Sequence, residues 1–222
     1  MAVKPSKNLT AQAYEAIKES IMLNRLKQGD YISENALAKE LGMSRTPVRE
    51  AIRILDSEGL IEVRNGVGIF VRHILSKEIY DIFEMRALLE CSAARSAMYH
   101  ISATEIRQMK EMWKDMENRL ENGERITENE ISSGYDQLHS LLVERCENKV
   151  LAKMDHDIHL QVVRLRNIFI SSLEDTRQTI RQHLEIVDCM ERGDVDQLVN
   201  RLKQHMEQSA EHIIRTRSFV IG

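Results

Sequence analysis

Apolar positions recur at helical spacing over most of the chain, and two short stretches near residue 65 interrupt that pattern. A first helix is predicted from Thr10, which can cap it, to about Asn24. Its apolar face consists of Tyr14, Ile17, Ile21 and Met22. Ser33 is a suitable cap for a second helix, which ends at Gly42. Ser44 is a suitable cap for a third helix, which runs to about residue 57. The inward positions of the second helix are Ala36, Leu37 and Leu41.

The interruption itself predicts a β-hairpin. Residues 60–63 and 68–71 are short, largely apolar stretches, and Asn65-Gly66 lies between them. Asn-Gly between apolar stretches is the strongest short-range signal for a hairpin. Helix, tight turn, helix and hairpin follow one another in the order of a winged helix-turn-helix, which we assign to residues 1–75.

Residues 76–222 predict an all-helical bundle. Ser102 and Thr127 each begin a capping box, with Glu105 and Glu130 three residues later. A break is expected at residues 171–172. Six long helices follow from the periodicity, at about 77–99, 102–122, 127–146, 149–168, 174–192 and 194–216. The fold class is therefore mostly α, with a small hairpin wing.

Composition supports this fold and restricts the function. Only 9 Gly and 2 Pro occur in 222 residues, which argues against a turn-rich β protein. No apolar run is long enough to span a membrane, and three cysteines without metal or redox spacing favour a cytoplasmic protein. Residues 1–75 carry 11 basic and 9 acidic residues, whereas the whole chain has a net charge of −4. This charge distribution is compatible with a small basic domain attached to an acidic body. It argues against a protein that coats nucleic acid without sequence preference.

The predicted third helix has an arginine face. Arg45, Arg49 and Arg53 recur every four residues, and Ser44 and Thr46 lie at the start of the helix. Arginine can bind guanine bidentately in the major groove, and the two hydroxyls can reach phosphates or bases. A solvated helix face is the alternative for the arginines alone. The preceding helix, the glycine turn and the hairpin favour DNA binding.

Two histidines of the bundle fall at one level. His183 precedes Gly193 by ten residues and His205 follows it by twelve, so an antiparallel helix pair places them at nearly the same height. Each lies on an otherwise apolar stripe. Such a pair can hold a divalent metal or can be a hydrogen-bonded core pair, and the spacing leaves both open.

The N-terminal stretch resembles the GntR family of bacterial transcription regulators. The residues that carry the resemblance are 37–55, 58–61 and 68–71. The resemblance implies that Arg45, Thr46 and Arg49 contact operator DNA, with Gly66 at the wing tip. Some members have an arginine near the start of the second helix, where this chain has residues 34–36, Glu-Asn-Ala.

The C-terminal region is similar to the helical ligand-sensing domain of the FCD (fatty-acid-regulator-like) subfamily of GntR regulators. The matching residues are Arg86 to Glu90, Leu138-His139, Leu142, Asn148, His183, Gly193-Asp194 and His205. The resemblance implies that His139, His183 and His205 bind zinc or a similar ion together with an aspartate. The family's aspartate position is Tyr135 here, and Asp136, one residue later, is the candidate fourth ligand.

Arg86 is the candidate for binding an effector carboxylate. A planar guanidinium binds a carboxylate bidentately. The alternative is an ion pair with Glu90, four residues later on the same helix.

Zinc is the ion expected at the three histidines, and nickel, manganese or iron also suit imidazoles with a nearby carboxylate.

The predicted function is a homodimeric, ligand-responsive transcription regulator that binds near-palindromic operator DNA and a small carboxylate. The alternative is a metal-dependent hydrolytic enzyme that uses the three histidines. Against the enzyme, the sequence has no HExxH motif and no clearly placed general base. An architectural DNA-binding protein is disfavoured by the acidic bundle.

Overall fold

Residues 6–168 and 173–220 are described by this computed structural model, and they divide into two compact units. The N-terminal unit contains the described residues up to Leu75 together with Val163–Ile168. The helical unit contains Ser76–Val162 and the described residues from 173 onward. No helix within the described ranges is both long and apolar enough to cross a membrane.

The N-terminal unit has the predicted winged helix-turn-helix order. Its elements are α1 (Ser6–Met22), α2 (Glu34–Glu40), α3 (Arg45–Ser57), β1 (Ile61–Arg64) and β2 (Gly68–Val71). The two strands are antiparallel, with Ile61 opposite Val71 and Arg64 opposite Gly68. Gly66 lies in the connecting turn at φ +74°, a left-handed conformation that glycine adopts without steric cost.

The core of this unit joins α1, α3 and the hairpin. Helix α1 packs against α3, and α3 packs against both α2 and β1. The most deeply buried side chains are Ala13, Ile17, Val48, Ala51, Leu55, Ile61 and Val71. Five apolar or proline side chains of α3 point inward, so its opposite face is left for polar contacts.

Two local expectations need correction. Helix α1 begins at Ser6, so Thr10 lies within the helix and does not cap it. In α2 the buried alanine is Ala38, whereas Ala36 is exposed, because the short helix turns a different face toward α3. The expected break at residues 171–172 lies outside the described residues.

The helical unit contains the six predicted long helices within its described residues. They are α4 (Ser76–Ala97), α5 (Ala103–Glu121), α6 (Glu128–Glu144), α7 (Lys149–Ile168, of which the last six residues belong to the N-terminal unit), α8 (Leu173–Arg192) and α9 (Val195–Val220). Both capping boxes form: the Ser102 and Thr127 side chains accept from the backbone N–H of Glu105 and Glu130. These local signals set where α5 and α6 begin.

Packing in the helical unit brings α6, α8 and α9 together around an aromatic core. Helix α5 packs on α8, and α4 packs on both α6 and α9. Trp113 of α5 is completely buried and stacks on the ring of His183, with centroids 4.3 Å apart. Gly134 lets α6 approach Trp113 closely, because a Cβ there would lie 3.0 Å from the Trp113 ring. The core therefore fixes the His183 ring against Trp113.

Candidate functional site

The exposed face of α3 carries the predicted arginine row. Arg45, Arg49 and Arg53 are all exposed. Arg45 and Arg49 both bind the carboxylate of Glu34 on α2, at 3.2 and 3.0 Å from Nη2 to Oε2. Arg53 instead pairs with Glu50 at 2.9 Å on its own helix. The face is thus basic and solvent-accessible, but its arginines are held in place by neighbouring carboxylates.

Three further predicted residues for DNA contact are also exposed. Ser44 is the N-cap position of α3, although its side chain makes no capping hydrogen bond, and Thr46 lies in the first turn. Gly66 is exposed at the tip of the hairpin, and a Cβ there would meet nothing within 4 Å. The chain can therefore present a helix and a wing tip to a groove and to the adjacent backbone.

Three buried histidines from three helices meet in the helical unit. His139 of α6, His183 of α8 and His205 of α9 are at most 3% exposed. One ring nitrogen from each lies within 4.8 Å of those of the other two. The rings of His183 and His205 have centroids 4.6 Å apart, which agrees with the height calculation from the sequence. Neutral imidazoles at such spacing suit a transition-metal ion.

The Nδ1 atom of every ring is engaged by an oxygen. His139 Nδ1 lies 2.5 Å from Glu90 Oε2, His183 Nδ1 2.7 Å from the Thr179 carbonyl, and His205 Nδ1 2.8 Å from the Gln182 amide oxygen. Carbonyl oxygens only accept hydrogen bonds, so the partners of His183 and His205 favour the tautomer with the proton on Nδ1. Burial raises the pKa of Glu90 and Arg86 opposes that increase, and in its ionised form Glu90 favours the same tautomer of His139. Nε2 is then the lone-pair nitrogen that each ring offers, an arrangement typical of metal-ligating histidines.

Burial keeps the third ring in the form that a metal needs. His205 Nε2 is buried and has no hydrogen-bond partner among the described residues. Burial, followed by the neighbouring His183 and His139, lowers the pKa of His205 well below its usual 6.5. The ring is therefore neutral at pH 7, with an unsatisfied acceptor. The residues present fit a divalent metal ion.

Asp136 does not join these histidines. Its carboxylate lies 3.8 Å from His159 Nε2 and is more than one-third exposed, so the sequence-based assignment of Asp136 as a fourth ligand is not supported. Tyr135, one residue earlier, is buried, and its ring centroid lies 4.4 Å from that of His139 and 5.2 Å from that of His183. One residue turns a helix by 100°, which separates the inward tyrosine from the outward aspartate.

Arg86 of α4 lies in the same buried cluster. Its Nε donates to Glu90 Oε1 at 2.5 Å, and its Nη1 donates to the Tyr135 hydroxyl. Burial opposes the charge on Arg86, but the charge of Glu90, together with Tyr135 and the hydrogen bonds to both residues, outweighs burial and raises the pKa of the guanidinium. The Nη2 atom is buried and has no hydrogen-bond partner among the described residues. Arg86 is thus paired with Glu90 and still has one nitrogen, Nη2, that can donate to a ligand oxygen.

Sequence reasoning missed the residues that support this cluster. Glu90 appeared only as an alternative partner of Arg86, yet it binds both Arg86 and His139. Gln182 precedes His183 by one position, but its contact is with His205 on the next helix. Glutamate four residues after an arginine was a usable signal for Glu90, whereas the Gln182 contact depends on helix packing that spacing does not specify.

Comparisons with known proteins agree with both parts of the structure. Residues 9–71 match the model of bacterial regulatory proteins, gntR family, and residues 81–208 match the model of the FCD domain. The "Probable D-xylose utilization operon transcriptional repressor" of Paenarthrobacter nicotinovorans is 32% identical over 90% of this chain and 89% of its own length.

Two solved structures show the same fold. The Escherichia coli protein McbR/YncC superposes with a TM-score of 0.69 at 20% identity, covering 98% of this chain and 100% of its own. The metal-free FCD domain of TM0439 superposes with a TM-score of 0.57 at 18% identity, covering 66% of this chain and 99% of its own.

Proposed function

Because the chain belongs to the gntR family of bacterial regulatory proteins and carries an FCD domain, we propose how this transcriptional regulator, which is not an enzyme, is controlled. It acts in the cytoplasm as a homodimer on near-palindromic operator DNA. A small carboxylate binds in the helical unit at a metal held by the three histidines. Binding there changes the affinity of the N-terminal unit for DNA.

Operator contact rests on α3 and the wing. Arg45 and Arg49 read base edges, with Thr46 beside them, because all three are exposed on the face of α3 that faces away from the core. Ser44 and Arg53 contact the phosphate backbone at the two ends of the same face. Gly66 lets the wing tip come close to the DNA because it has no side chain.

The sensor rests on His139, His183 and His205. Their three buried rings, each with an engaged Nδ1, are the single observation that carries the proposal. Zinc suits three imidazoles, and nickel, manganese or iron are the other candidates. When bound, the ion supplies a Lewis-acidic position for a ligand oxygen. Arg86 Nη2 supplies a second, charge-assisted contact to the same carboxylate.

A homodimer follows from what one N-terminal unit can read. A single recognition helix and one wing contact too few base pairs for the specificity of a regulator. A two-fold protein on a two-fold operator doubles those contacts. We assign the main dimer contacts to the helical unit, because the exposed face of α3 must remain accessible to DNA.

A thermal-shift screen of small carboxylates on zinc-loaded protein tests the sensor. At least one acid is expected to raise the melting temperature of the wild type, because a ligand that binds only the folded state stabilises it. Arg86→Lys keeps a charge beside Glu90 but removes the planar fork, so it should abolish that shift. An equal shift in wild type and variant would remove Arg86 from the site, and a screen without any shift would refute carboxylate sensing.

A further inference from the structure

Asp155 of α7 is a buried carboxylate that the proposed sensor does not yet use. The residue is only 8% exposed, and its Oδ1 has no hydrogen-bond partner among the described residues. A buried acceptor without a donor costs folding free energy, and a buried charge costs more. Such a group therefore points to a donor that the folded protein acquires from a ligand.

Asp155 lies near the Arg86–Glu90 pair of α4. Leu151 of α7, one turn before Asp155, packs in one apolar cluster with Ala93 of α4, and Glu90 lies one turn before Ala93. Electrostatics agree with this placement. Burial raises the pKa of Asp155 to about 6, the negative charge of Glu90 adds to that increase, and the positive charge of Arg86 opposes it.

The surroundings of the Arg86–Glu90 pair thus contain two buried polar atoms without a hydrogen-bond partner among the described residues, one a donor and one an acceptor. Arg86 Nη2 is a donor that needs an acceptor, and Asp155 Oδ1 is an acceptor that needs a donor. A simple carboxylate satisfies only Arg86 and brings its negative charge near those of Glu90 and Asp155. A carboxylate that also carries a hydroxyl or ammonium group satisfies both atoms, because either group donates to Oδ1.

We propose that Asp155 selects the effector: the regulator binds small carboxylates that carry a hydroxyl or ammonium donor, and it discriminates against the same acids without one. This inference rests on the proposed carboxylate sensor and adds the chemical class of its ligand. Discrimination by a site built to hydrogen-bond a substrate group is strong, because the analogue without that group leaves a buried polar atom unpaired.

Calorimetric titration of the zinc-loaded, full-length protein tests the proposal. The probes are propionate, lactate and alanine, together with butyrate and valerate and their 2- and 3-hydroxy and amino derivatives. The wild type should bind at least one derivative about tenfold or more tightly than its parent acid, as expected for a hydrogen bond to a charged group. Preference for hydroxy over amino derivatives, or the reverse, identifies the donor.

Three variants distinguish selection from a structural role. Asp155→Leu should bind parent acid and derivative with equal affinity, and Asp155→Asn, which retains an oxygen acceptor and the shape, should keep part of the preference. Asp157→Asn, on the exposed side of the same helix, should behave as the wild type. Circular dichroism confirms that each variant is folded.

Each contrary result has a separate meaning. If the wild type binds the parent acids as tightly as their derivatives, or if Asp155→Leu retains the preference, selection by Asp155 is wrong while the carboxylate sensor stands. If no acid in the series binds the wild type, the carboxylate sensor fails and the inference fails with it.

Discussion

The carboxylate of Glu34 binds the guanidinium of Arg49 through two atoms, at 3.0 Å from Nη2 to Oε2 and 3.2 Å from Nε to Oε1. The same carboxylate also binds Arg45 at 3.2 Å. Hydrogen bonds from Arg49 are the largest cause that lowers the pKa of Glu34, so the carboxylate is ionised at neutral pH. Glu34 therefore orients two arginines of the proposed recognition surface and also neutralises part of their charge.

Glu34→Gln should strengthen binding to a mixed-sequence DNA duplex and reduce selectivity for the operator. Without the carboxylate, both arginines are free to contact phosphates, so the salt dependence should steepen by about one released counterion. Fluorescence anisotropy at several salt concentrations measures both quantities. Glu40→Gln, an exposed position at the other end of α2, is the control with the same change in net charge. Equal behaviour of the two variants would show that Glu34 has no special influence.

Arg45→Ala and Arg49→Ala should each abolish selective operator binding and leave the helical fold intact. Both side chains are exposed on α3, so their loss removes DNA contacts and little packing. Each lost bidentate contact to guanine costs about 1–3 kcal/mol of discrimination. Gel shifts against scrambled DNA measure the loss, with Arg125→Ala as the control in the helical unit. Unchanged operator preference in both variants would remove α3 from the recognition surface.

Purified protein should contain one divalent ion per chain after metal supplementation. A chelator should lower the melting temperature, because an ion at a hundredfold excess over its dissociation constant stabilises the fold by about 2.7 kcal/mol. His183→Ala should imitate the chelator, whereas His156→Ala, at an exposed position of α7, should not. The metal site would be refuted if elemental analysis found no stoichiometric ion and the chelator left the melting curve unchanged. The three histidines would then have a structural role only.

The fourth ligand position can be tested by exchanging two neighbouring residues. Asp136→Asn should leave zinc affinity unchanged, because the Asp136 carboxylate faces His159 and not the three histidines. Tyr135→Asp should raise zinc affinity, because it places an anionic oxygen ligand where the tyrosine ring now lies beside His139. Competition with a chromophoric chelator gives both affinities. Weaker zinc binding in Asp136→Asn would return Asp136 to the site.

The protein should be a dimer in solution, with a mass of twice 25.7 kDa by light scattering. Two recognition helices on one two-fold assembly are needed to read a near-palindromic operator. Deletion of residues 1–75 should preserve the dimer if its contacts lie in the helical unit. A monomer at micromolar concentration, both with and without operator DNA, would contradict the proposed assembly.

Local signals in the sequence predicted most of the fold. The capping boxes at Ser102 and Thr127 and the Asn-Gly hairpin turn depend on residues a few positions apart, so the sequence alone specifies them. The pairing of His183 with His205 also follows from the sequence, because one short connection between two helices sets their relative height.

The supporting contacts of the sites depend on packing between distant segments. Glu90 and His139 are 49 residues apart, and Gln182 and His205 are 23 apart on different helices. Helical periodicity shows which face of a helix is buried but not which neighbour that face meets. The Arg86–Glu90 ion pair, in contrast, is local and follows from the four-residue spacing. The sequence offers it as an alternative to ligand binding, whereas the structure combines the pair with an unsatisfied donor on the same side chain.

The most direct test measures operator affinity with and without the carboxylate that stabilises the zinc-loaded protein. An operator duplex selected from a random library by the wild type is titrated by fluorescence anisotropy. The account predicts that the carboxylate changes the dissociation constant by about five- to a hundredfold, with release of DNA as the expected direction. Arg86→Lys and His205→Ala should bind the duplex normally and lose that response. An unchanged dissociation constant in the wild type, or an equal change in Arg86→Lys, would contradict ligand control through this site.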